Sequence, residues 1–496
     1  MEAKKIGNKV CISGYLYTHS KDSEDHKNRS YWQCVLVRRE ECTARAVIDV
    51  DKGVLKVVKG PRQSPHRHPA PVDAVKAESV WQSLKRKALD DPAAPPAKLI
   101  RDELFGLPSA VLSQLPDRDN LKKSIRRDRR KELPPNPRSL LDLEEVPDKY
   151  KKTLYGEPFL LYDSQQDPNF SEDGRVIVFA TRKSLEVLAR SPTWFVDGTF
   201  KVCPSIFLQL FTILGSIEQP HICQNSTPVA VPLVFALLSS KATHQYAAVY
   251  RAVTDAATNY GILNCSPTRV MSDFETAIIN ASHSSFPTIP IAGCFFHLGK
   301  NIYRHVQSSK LQTDYENQED DTIRRQTHML LALAFVPVPD VVDAFEELYQ
   351  TIDPRLKPVF DYFDDTYIRG RQIRGRTQCT PPLYPISLWN QYEATLNGLH
   401  RTNNVSEGWH NRFNLLVNKS HPDLCSFLGT IKKEEGDVNT LIVEVGLGKR
   451  ARAGKRRKYS SLETRLKNVC DNYDDYKVDT RVMEYLHNVG CNIYLA

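Results

Sequence analysis

Three acidic residues lie where the predicted secondary structure changes, and carboxylates at such points can meet around a metal ion. Asp197 and Asp273 each follow an apolar run with strand character. Glu407 comes just after Asn403 and Asn404, either of which could cap a helix that carries Glu407 in its first turn. Three such acids could hold two Mg²⁺ or Mn²⁺ ions about 4 Å apart and support in-line attack on a phosphodiester.

Each of these acids also has an ordinary structural explanation. Asp197 and Gly198 form a dipeptide that is common in hairpin turns. Asp273 could instead cap the helix predicted near Glu275, and Glu275 could stabilise the same helix through its dipole. From the residues alone, both readings remain open.

The elements that must position the acids follow a recognisable order. From Thr193 the periodicity predicts strand, strand, strand, helix, strand, helix, strand, helix. This is the layout of the ribonuclease-H-like fold, with three antiparallel strands and then two parallel ones. If the first and fourth strands are neighbours, Asp197 and Asp273 meet at one sheet edge. The predicted fold class is therefore α/β, a ribonuclease-H-like core with a helical insertion at about residues 323–400.

Cys294 and His297 form a Cys-x2-His pair between the second and third acids. A zinc site would need two more ligands, for which Cys265 and His283 are weak candidates. His410 is expected one turn after the third acid on the same helix face. It is interpreted as a structural or DNA-facing residue rather than a catalyst.

The first 70 residues contain a second set of ligand side chains in a β-rich pattern. A module of this size has a small core, and Cys34, Cys42, His66 and His68 are donors that suit tetrahedral zinc. The spacing differs from that of the helical two-Cys two-His finger. The alternative is two buried cysteines and two loop histidines.

The length and composition of the chain limit the classes of function that it can have. The chain has 496 residues, 41% of them hydrophobic, and no apolar run near the roughly 20 residues of a membrane span. Its N-terminus lacks the apolar core of a secretory signal, so we expect the cytosol or nucleus and no membrane partner. The predicted domains are residues 1–70, a basic Pro-broken linker with short helices at 71–150, the α/β domain at 151–430, and a basic segment with a helical tail at 431–496.

The net charge of +8 is concentrated in clusters of basic residues, which could contact DNA phosphates or act as nuclear localisation signals. The alternative is solvated helix faces and surface loops. The candidate DNA-binding residues are Arg126, Arg127, Arg129, Arg130, Arg371 and Arg374.

The N-terminal module resembles the FLYWCH zinc finger. The resemblance rests on Tyr31-Trp32-x-Cys34, Cys42-x-Ala44-Arg45 and His66-x-His68-Pro69. It implies a zinc ion held by Cys34, Cys42, His66 and His68, and contacts with nucleic acid or with protein partners.

The α/β domain resembles the transposase domain of Mutator-like elements, from about Phe159 to Val417. The matching motifs are Asp197-Gly198-Thr199-Phe200, Ser272-Asp273-x-Glu275, Gly293-Cys294-Phe295-Phe296-His297, and Thr402-Asn403-Asn404-x-x-Glu407-x-x-His410. The resemblance implies a DDE-type DNA transposase with Asp197, Asp273 and Glu407 as the triad. It also implies that Cys294 and His297 lie near the active site and handle DNA.

The sequence therefore predicts a nuclear transposase that cuts phosphodiester bonds at element ends and joins them to target DNA. Two ends must meet in such a reaction, so a homo-oligomer is expected from the mechanism. The alternative is a domesticated, transposase-derived DNA-binding regulator that no longer cuts. A weaker alternative is a ribonuclease-H-like nuclease acting on another nucleic acid.

Overall fold

The computed structural model of the protein describes residues 3–26, 28–51, 54–91, 94–132, 134–168, 170, 173–217, 229–371, 380–449 and 457–493. The chain divides into two compact units, unit 1 (Met1–Asn136) and unit 2 (Pro137–Ala496). Among the described helices, none combines the length and apolar character needed to cross a lipid bilayer.

Unit 1 begins with a six-stranded sheet in which each strand pairs with the next along the chain in antiparallel fashion. Its core contains Val10, Ile12, Ala46 and Ile48, which alternate with more exposed residues as the two-residue period of a strand requires. The strands are β1 (Ala3–Ile6), β2 (Lys9–Ile12), β3 (Tyr15–Asp22), β4 (Arg29–Cys34), β5 (Arg45–Asp51) and β6 (Val54–Lys59).

Four helices follow within unit 1. They are α1 (Val72–Asp90), α2 (Pro96–Leu104), α3 (Ser109–Leu112) and α4 (Arg118–Glu132). Leu84 and Ala88 of α1 pack with Ile100 of α2 and with Leu121 and Ile125 of α4. The i, i+4 spacing of these residues gives α1 and α4 one apolar stripe each. The stretch interpreted as a linker therefore includes a packed helical cluster, whose first helix has 19 residues.

Unit 2 is built on a seven-stranded mixed sheet, which confirms the α/β class. The strand order is β13-β12-β9-β10-β11-β8-β7, with β9, β12 and β13 parallel and the other neighbours antiparallel. The strands are β7 (Leu160–Asp163), β8 (Val176–Phe179), β9 (Thr193–Thr199), β10 (Gln209–Ile217), β11 (Val229–Leu238), β12 (Arg269–Ser272) and β13 (Ile291–Gly293).

Helices connect the parallel strands and form the remainder of unit 2. They are α5 (Asp148–Lys151), α6 (Arg182–Arg190), α7 (Thr243–Asn259), α8 (Thr276–Ser285), α9 (Phe295–Ser308), α10 (Gln312–Glu316), α11 (Thr322–Ala332), α12 (Val341–Tyr349), α13 (Lys357–Phe363), α14 (Ile386–Trp389), α15 (Tyr392–Leu396), α16 (Asn404–Val417), α17 (Leu424–Gly446), α18 (Arg457–Asp471), α19 (Tyr473–Val478) and α20 (Val482–Gly490). The C-terminal helices pack on the helical segment after β13, since Tyr485 donates its hydroxyl hydrogen to the carbonyl of Phe335.

The register of β9 places the first acid inside a strand. Asp197 and Gly198 pair with Thr212 and Phe211 of β10, so the hairpin-turn reading of this dipeptide is wrong. The dipeptide does not turn because the ladder with β10 continues through it to Thr199.

The parallel pairing of β9 with β12 fixes the relative height of two acids. Met271 of β12 pairs with Phe195 of β9. Asp273 and Asp197 each lie two residues further along, so they reach the same level on the same face at the carboxyl edge of the sheet.

We predict that Gly293→Ala destabilises unit 2. A Cβ at Gly293 would lie 2.7 Å from Cζ of Phe274, the residue after Asp273. This ring packs edge-to-face against Tyr384 and Tyr367, with centroids at 5.0 and 5.8 Å, so it has little freedom to withdraw. The expected cost is about 1–3 kcal/mol, measured from guanidinium unfolding.

The matched control is Gly446→Ala at the end of α17, where a Cβ meets open space. Its unfolding free energy should stay the same or rise by up to about 1 kcal/mol. Equal stability of the Gly293 variant and wild type would contradict the packing argument.

Candidate functional site

Unit 1 brings four potential zinc ligands together. Cys34 ends β4, Cys42 precedes β5, and His66 and His68 lie in the segment between β6 and α1. One donor atom from each lies within 4.8 Å of all the others. Sγ of Cys34 is 3.2 Å from Nε2 of His68, and Sγ of Cys42 is 3.4 Å from Nδ1 of His66.

Hydrogen bonds at the second nitrogen of each imidazole fix which nitrogen faces the sulfur atoms. His66 Nε2 is 2.7 Å from the hydroxyl oxygen of Tyr17, and His68 Nδ1 donates to the carbonyl of Pro69 at 2.8 Å. A carbonyl can only accept, so Nε2 of His68 keeps its lone pair for a ligand. The Tyr17 hydroxyl can donate or accept, so Nδ1 of His66 offers a lone pair in the tautomer whose Nε2 carries the proton. Such outer-shell partners are typical of metal-bound histidine.

Burial favours the neutral forms of these ligands in the absence of a cation. It lowers the pKa of His66 to about 4, with a further contribution from His68, and it raises the pKa of the Cys34 thiol to about 11. A divalent cation reverses the thiol's preference because it stabilises the thiolate. Two sulfur and two imidazole donors at these distances fit tetrahedral zinc.

Unit 2 gathers carboxylates at the carboxyl edge of its sheet. Burial, followed by the negative charges of Asp197 and Glu275, raises the pKa of Asp273 to about 7. One carboxyl oxygen of Asp273, Oδ1, is buried with no hydrogen-bond partner among the described residues. A buried acceptor of this kind, facing a second carboxylate, is an arrangement that a cation would relieve.

The start of α16 is tied to the same edge through one residue. Asn403, which is fully buried, donates its side-chain amide to the carbonyl of Val196 at 3.1 Å. Its backbone N–H donates to Sγ of Cys294 at 3.0 Å, and its side-chain oxygen accepts from Ser406. Glu407 therefore lies in the first turn of a helix that begins beside Asp197.

Two histidines lie against two of the three acids. Nδ1 of His410 is 3.3 Å from Asp197, and Nε2 of His297 is 3.4 Å from Glu407. His410 also lies 3.4 Å from the hydroxyl of Thr212, the β10 partner of Asp197. Within the described ranges, only the unit 1 cluster gathers three or more potential ligand atoms within 4.8 Å, so the three acids are spread more widely than that.

Cys294 serves as a buried hydrogen-bond acceptor between α9 and α16. In the described part of unit 2 it forms no ligand cluster with His297, Cys265 or His283, so the structure does not support the zinc alternative for this pair. Burial lowers the pKa of His297, although the charges of Asp197 and Glu407 act in the opposite direction.

Two family models match the chain. One, described as the MULE transposase domain, matches residues 193–301, and the other, described as the FLYWCH zinc finger domain, matches residues 1–68. The chain carries both domains. No curated protein matches it significantly. The transposase match includes Asp197, Asp273, Cys294 and His297 and ends before Glu407, so the link to Glu407 comes from the geometry of α16.

Glu275 of the transposase domain has local partners and is the N-cap residue of α8. Its carboxylate accepts hydrogen bonds from the hydroxyl of Tyr246 at 2.5 Å and from Nζ of Lys241 at 2.7 Å. The helix-cap reading of Asp273 is therefore wrong, because α8 begins two residues later than that reading requires.

Two buried acids of α17 were not predicted from the sequence. Glu434 accepts from Nε1 of Trp409 at 2.8 Å and from Arg412, so it holds two residues of α16 beside Glu407 and His410. Glu435 lies next to it and is 3% exposed. The available signal was their spacing, because both acids continue the i, i+3, i+4 series of buried apolar residues along α17.

The predicted DNA-binding arginines have different environments. On α4, Arg126, Arg127 and Arg130 are exposed. Arg129 is not available in the same way, because its guanidinium donates to the carbonyls of Ala88, Asp91 and Ala94 and so closes the end of α1. Arg371 is exposed and lies 3.4 Å from Asp365. Arg374 lies outside the described residues.

We predict that Cys34→Ser weakens zinc binding by the FLYWCH domain. Serine removes one thiolate from the ligand set, so zinc measured by elemental analysis after chelator competition should fall well below one ion per chain. The control is Cys11→Ser in β2, a free thiol outside the cluster, which should keep its zinc. Equal zinc content in both variants would contradict the assignment.

We predict that Glu435→Gln stabilises unit 2 at alkaline pH. Burial, followed by the charge of Glu157, raises the pKa of Glu435 to about 7 from an ordinary 4.5, while Lys183 lowers it. The folded state therefore binds this proton more tightly than the unfolded state does. The contribution of Glu435 to the free energy of unfolding is therefore most favourable below pH 4.5 and is lost as the pH rises to about 7.

Removing the carboxylate should thus raise the unfolding free energy at pH 8, on the order of 1–3 kcal/mol, with a smaller gain at pH 5. Guanidinium unfolding at both pH values measures the difference. The control is Glu347→Gln on α12, an exposed acid whose replacement should change the unfolding free energy by less than about 0.5 kcal/mol. A gain that is larger at pH 5 would contradict the prediction.

Proposed function

We propose that the protein is a DDE-type DNA transposase that cleaves phosphodiester bonds at transposon ends and transfers the strands to target DNA. In this proposal Asp197, Asp273 and Glu407 hold two Mg²⁺ or Mn²⁺ ions. The match to the MULE transposase domain supports a transposase-type function.

The sheet topology supports a ribonuclease-H-like core for this chemistry. Strands β11, β10 and β9 are antiparallel neighbours, and β12 and β13 continue the sheet parallel to β9. The chain order of these five strands across the sheet is third, second, first, fourth, fifth. The strand carrying Asp197 is therefore central, and the strand leading to Asp273 is its parallel neighbour.

The observation that carries the proposal is the attachment of α16 beside Asp197. Asn403 bonds to Val196 and to Cys294, and this attachment supports a position of Glu407 near the edge of Asp197 and Asp273. The contacts of His410 with Asp197 and of His297 with Glu407 support the same convergence. A helix needed only for packing would not require an acid and a histidine at this edge.

The residues fit hard divalent cations. Three carboxylates supply oxygen donors, and the unpartnered buried oxygen of Asp273 is an available ligand atom. Bound ions would activate a water or 3′-hydroxyl and stabilise the departing oxygen. Asp273, with a pKa of about 7, must lose its proton to act as a ligand, so mildly alkaline conditions favour the loaded site.

Partners and location follow from the same proposal. Transposon ends and target DNA are the substrates, and the exposed arginines of α4 are available to phosphates. The FLYWCH finger binds DNA or a partner protein. We further propose a nuclear location and a homo-oligomer, because two transposon ends must be brought together.

The test measures Mn²⁺- or Mg²⁺-dependent nicking and strand joining by the purified, zinc-loaded full chain on DNA that flanks its own gene. Asp197→Asn, Asp273→Asn and Glu407→Gln should each reduce joining by roughly 10²-fold or more while DNA binding remains. The matched control is Asp255→Asn, an exposed acid on α7.

Joining that survives in the three acid variants would overturn the triad. Tight, salt-dependent binding to the same DNA without nicking by the wild type would instead support the domesticated regulator.

A further inference from the structure

An exposed aromatic side chain lies just beyond the first acid. Phe200 follows the last residue of β9 and is three residues from Asp197. Its side chain is 40% exposed. Single exposed apolar residues are common on protein surfaces and need no explanation by themselves. The neighbours of Phe200 are what distinguish it.

Lys241 lies over the ring of Phe200 and connects this ring to the segment that carries Asp273 and Glu275. Nζ of Lys241 is 4.4 Å from the ring centroid and 2.7 Å from Oε2 of Glu275. Glu275 is two residues from Asp273. We call Phe200 and Lys241 the Phe200 platform. It lies beside both sheet-edge acids.

An aromatic face paired with a cation is the usual combination for contacting a single nucleic-acid strand. Base stacking on an aromatic residue contributes about 1–3 kcal/mol and tolerates any base, and lysine neutralises the backbone phosphate. Bases within a duplex are already stacked on their neighbours, so only an unpaired base can use the ring. A ring and cation of this kind would therefore distinguish unpaired from paired DNA.

The lysine can change partners at little cost. The side chain of Lys241 is 45% exposed, and ion pairs with such exposed lysines contribute only about 0–1 kcal/mol. A phosphate can thus replace Glu275 as the partner of the ammonium group while the ring stacks with the adjoining base.

We propose that Phe200 stacks an unpaired DNA base beside Asp197 and Asp273, with Lys241 contacting the adjoining phosphate. This inference rests on the proposed function and deepens it, because it specifies that the DNA strand is unpaired where it reaches the acids.

The experiment uses the zinc-loaded full chain and two fluorescent probes, an oligothymidylate of about 16 nucleotides and a duplex of the same length. Because stacking tolerates any base, the natural DNA ends need not be known. Phe200→Ala should weaken oligothymidylate binding by roughly 5- to 100-fold and leave duplex binding unchanged. Lys241→Gln should reduce the salt slope for the oligothymidylate by about 0.7.

Two further variants separate stacking from loss of structure. Phe200→Trp should bind as tightly as wild type, and its added indole emission should be quenched by the oligothymidylate beyond the quenching of the five native tryptophans. Phe105→Ala removes another phenylalanine, 87% exposed in unit 1, and should have no effect. Unchanged oligothymidylate affinity in Phe200→Ala, or no added quenching in Phe200→Trp, would overturn the platform.

The platform and the proposed function can fail separately. Metal-dependent nicking by wild type together with unaltered oligothymidylate binding by Phe200→Ala overturns the platform alone. Oligothymidylate binding that depends on Phe200 without any nicking supports the platform and counts against the transposase activity.

Discussion

The acidic edge of unit 2 depends on one buried amide. Asn403 is fully enclosed, so its donors and its acceptor must all find partners within the protein. They find them at Val196, Cys294 and Ser406, which lie on β9, at the start of α9 and on α16. Moving α16 would break these bonds and leave polar groups unpaired in the interior, at roughly 1–3 kcal/mol each. The position of Glu407 is therefore set by hydrogen bonds made four residues before it.

The electrostatic environment of that edge disfavours the ionised form of Asp273. Burial and the neighbouring negative charge of Asp197 both disfavour ionisation of Asp273, which is why its pKa rises to about 7. His410 and His297 lie against Asp197 and Glu407 and would offset this negative charge only when protonated. Burial lowers the pKa of His297, however, so that histidine is a weak counter-charge. An edge with more negative than positive charge is one that gains from a divalent cation.

The sequence was most informative where the chemistry follows from local order. Asp197 and Asp273 could be assigned to one edge because apolar strand patterns and the rule for parallel strands fix where strands end. The contacts that depend on distant packing could not be predicted. Arg129 closes a helix end formed by residues some 40 positions earlier, and Glu434 bonds to Trp409 on a different helix. Hydrophobic periodicity does not identify such pairs, because each partner taken alone resembles a surface charge or a core aromatic residue. The Asp197-Gly198 dipeptide is the converse case, because pairing with β10 overrides its local turn preference.

The two sites prepare their ligands in opposite ways. In unit 1, Tyr17 and the carbonyl of Pro69 contact the outer nitrogens of His66 and His68, so the inner nitrogen of each imidazole already faces a sulfur atom. Little reorganisation accompanies zinc binding there, and the ion stabilises the fold of a small sheet. In unit 2, the histidines contact the carboxylates themselves and compete with a cation for them. The first arrangement favours a resident structural ion. Under the proposed function, the second would favour ions that enter and leave with the substrate.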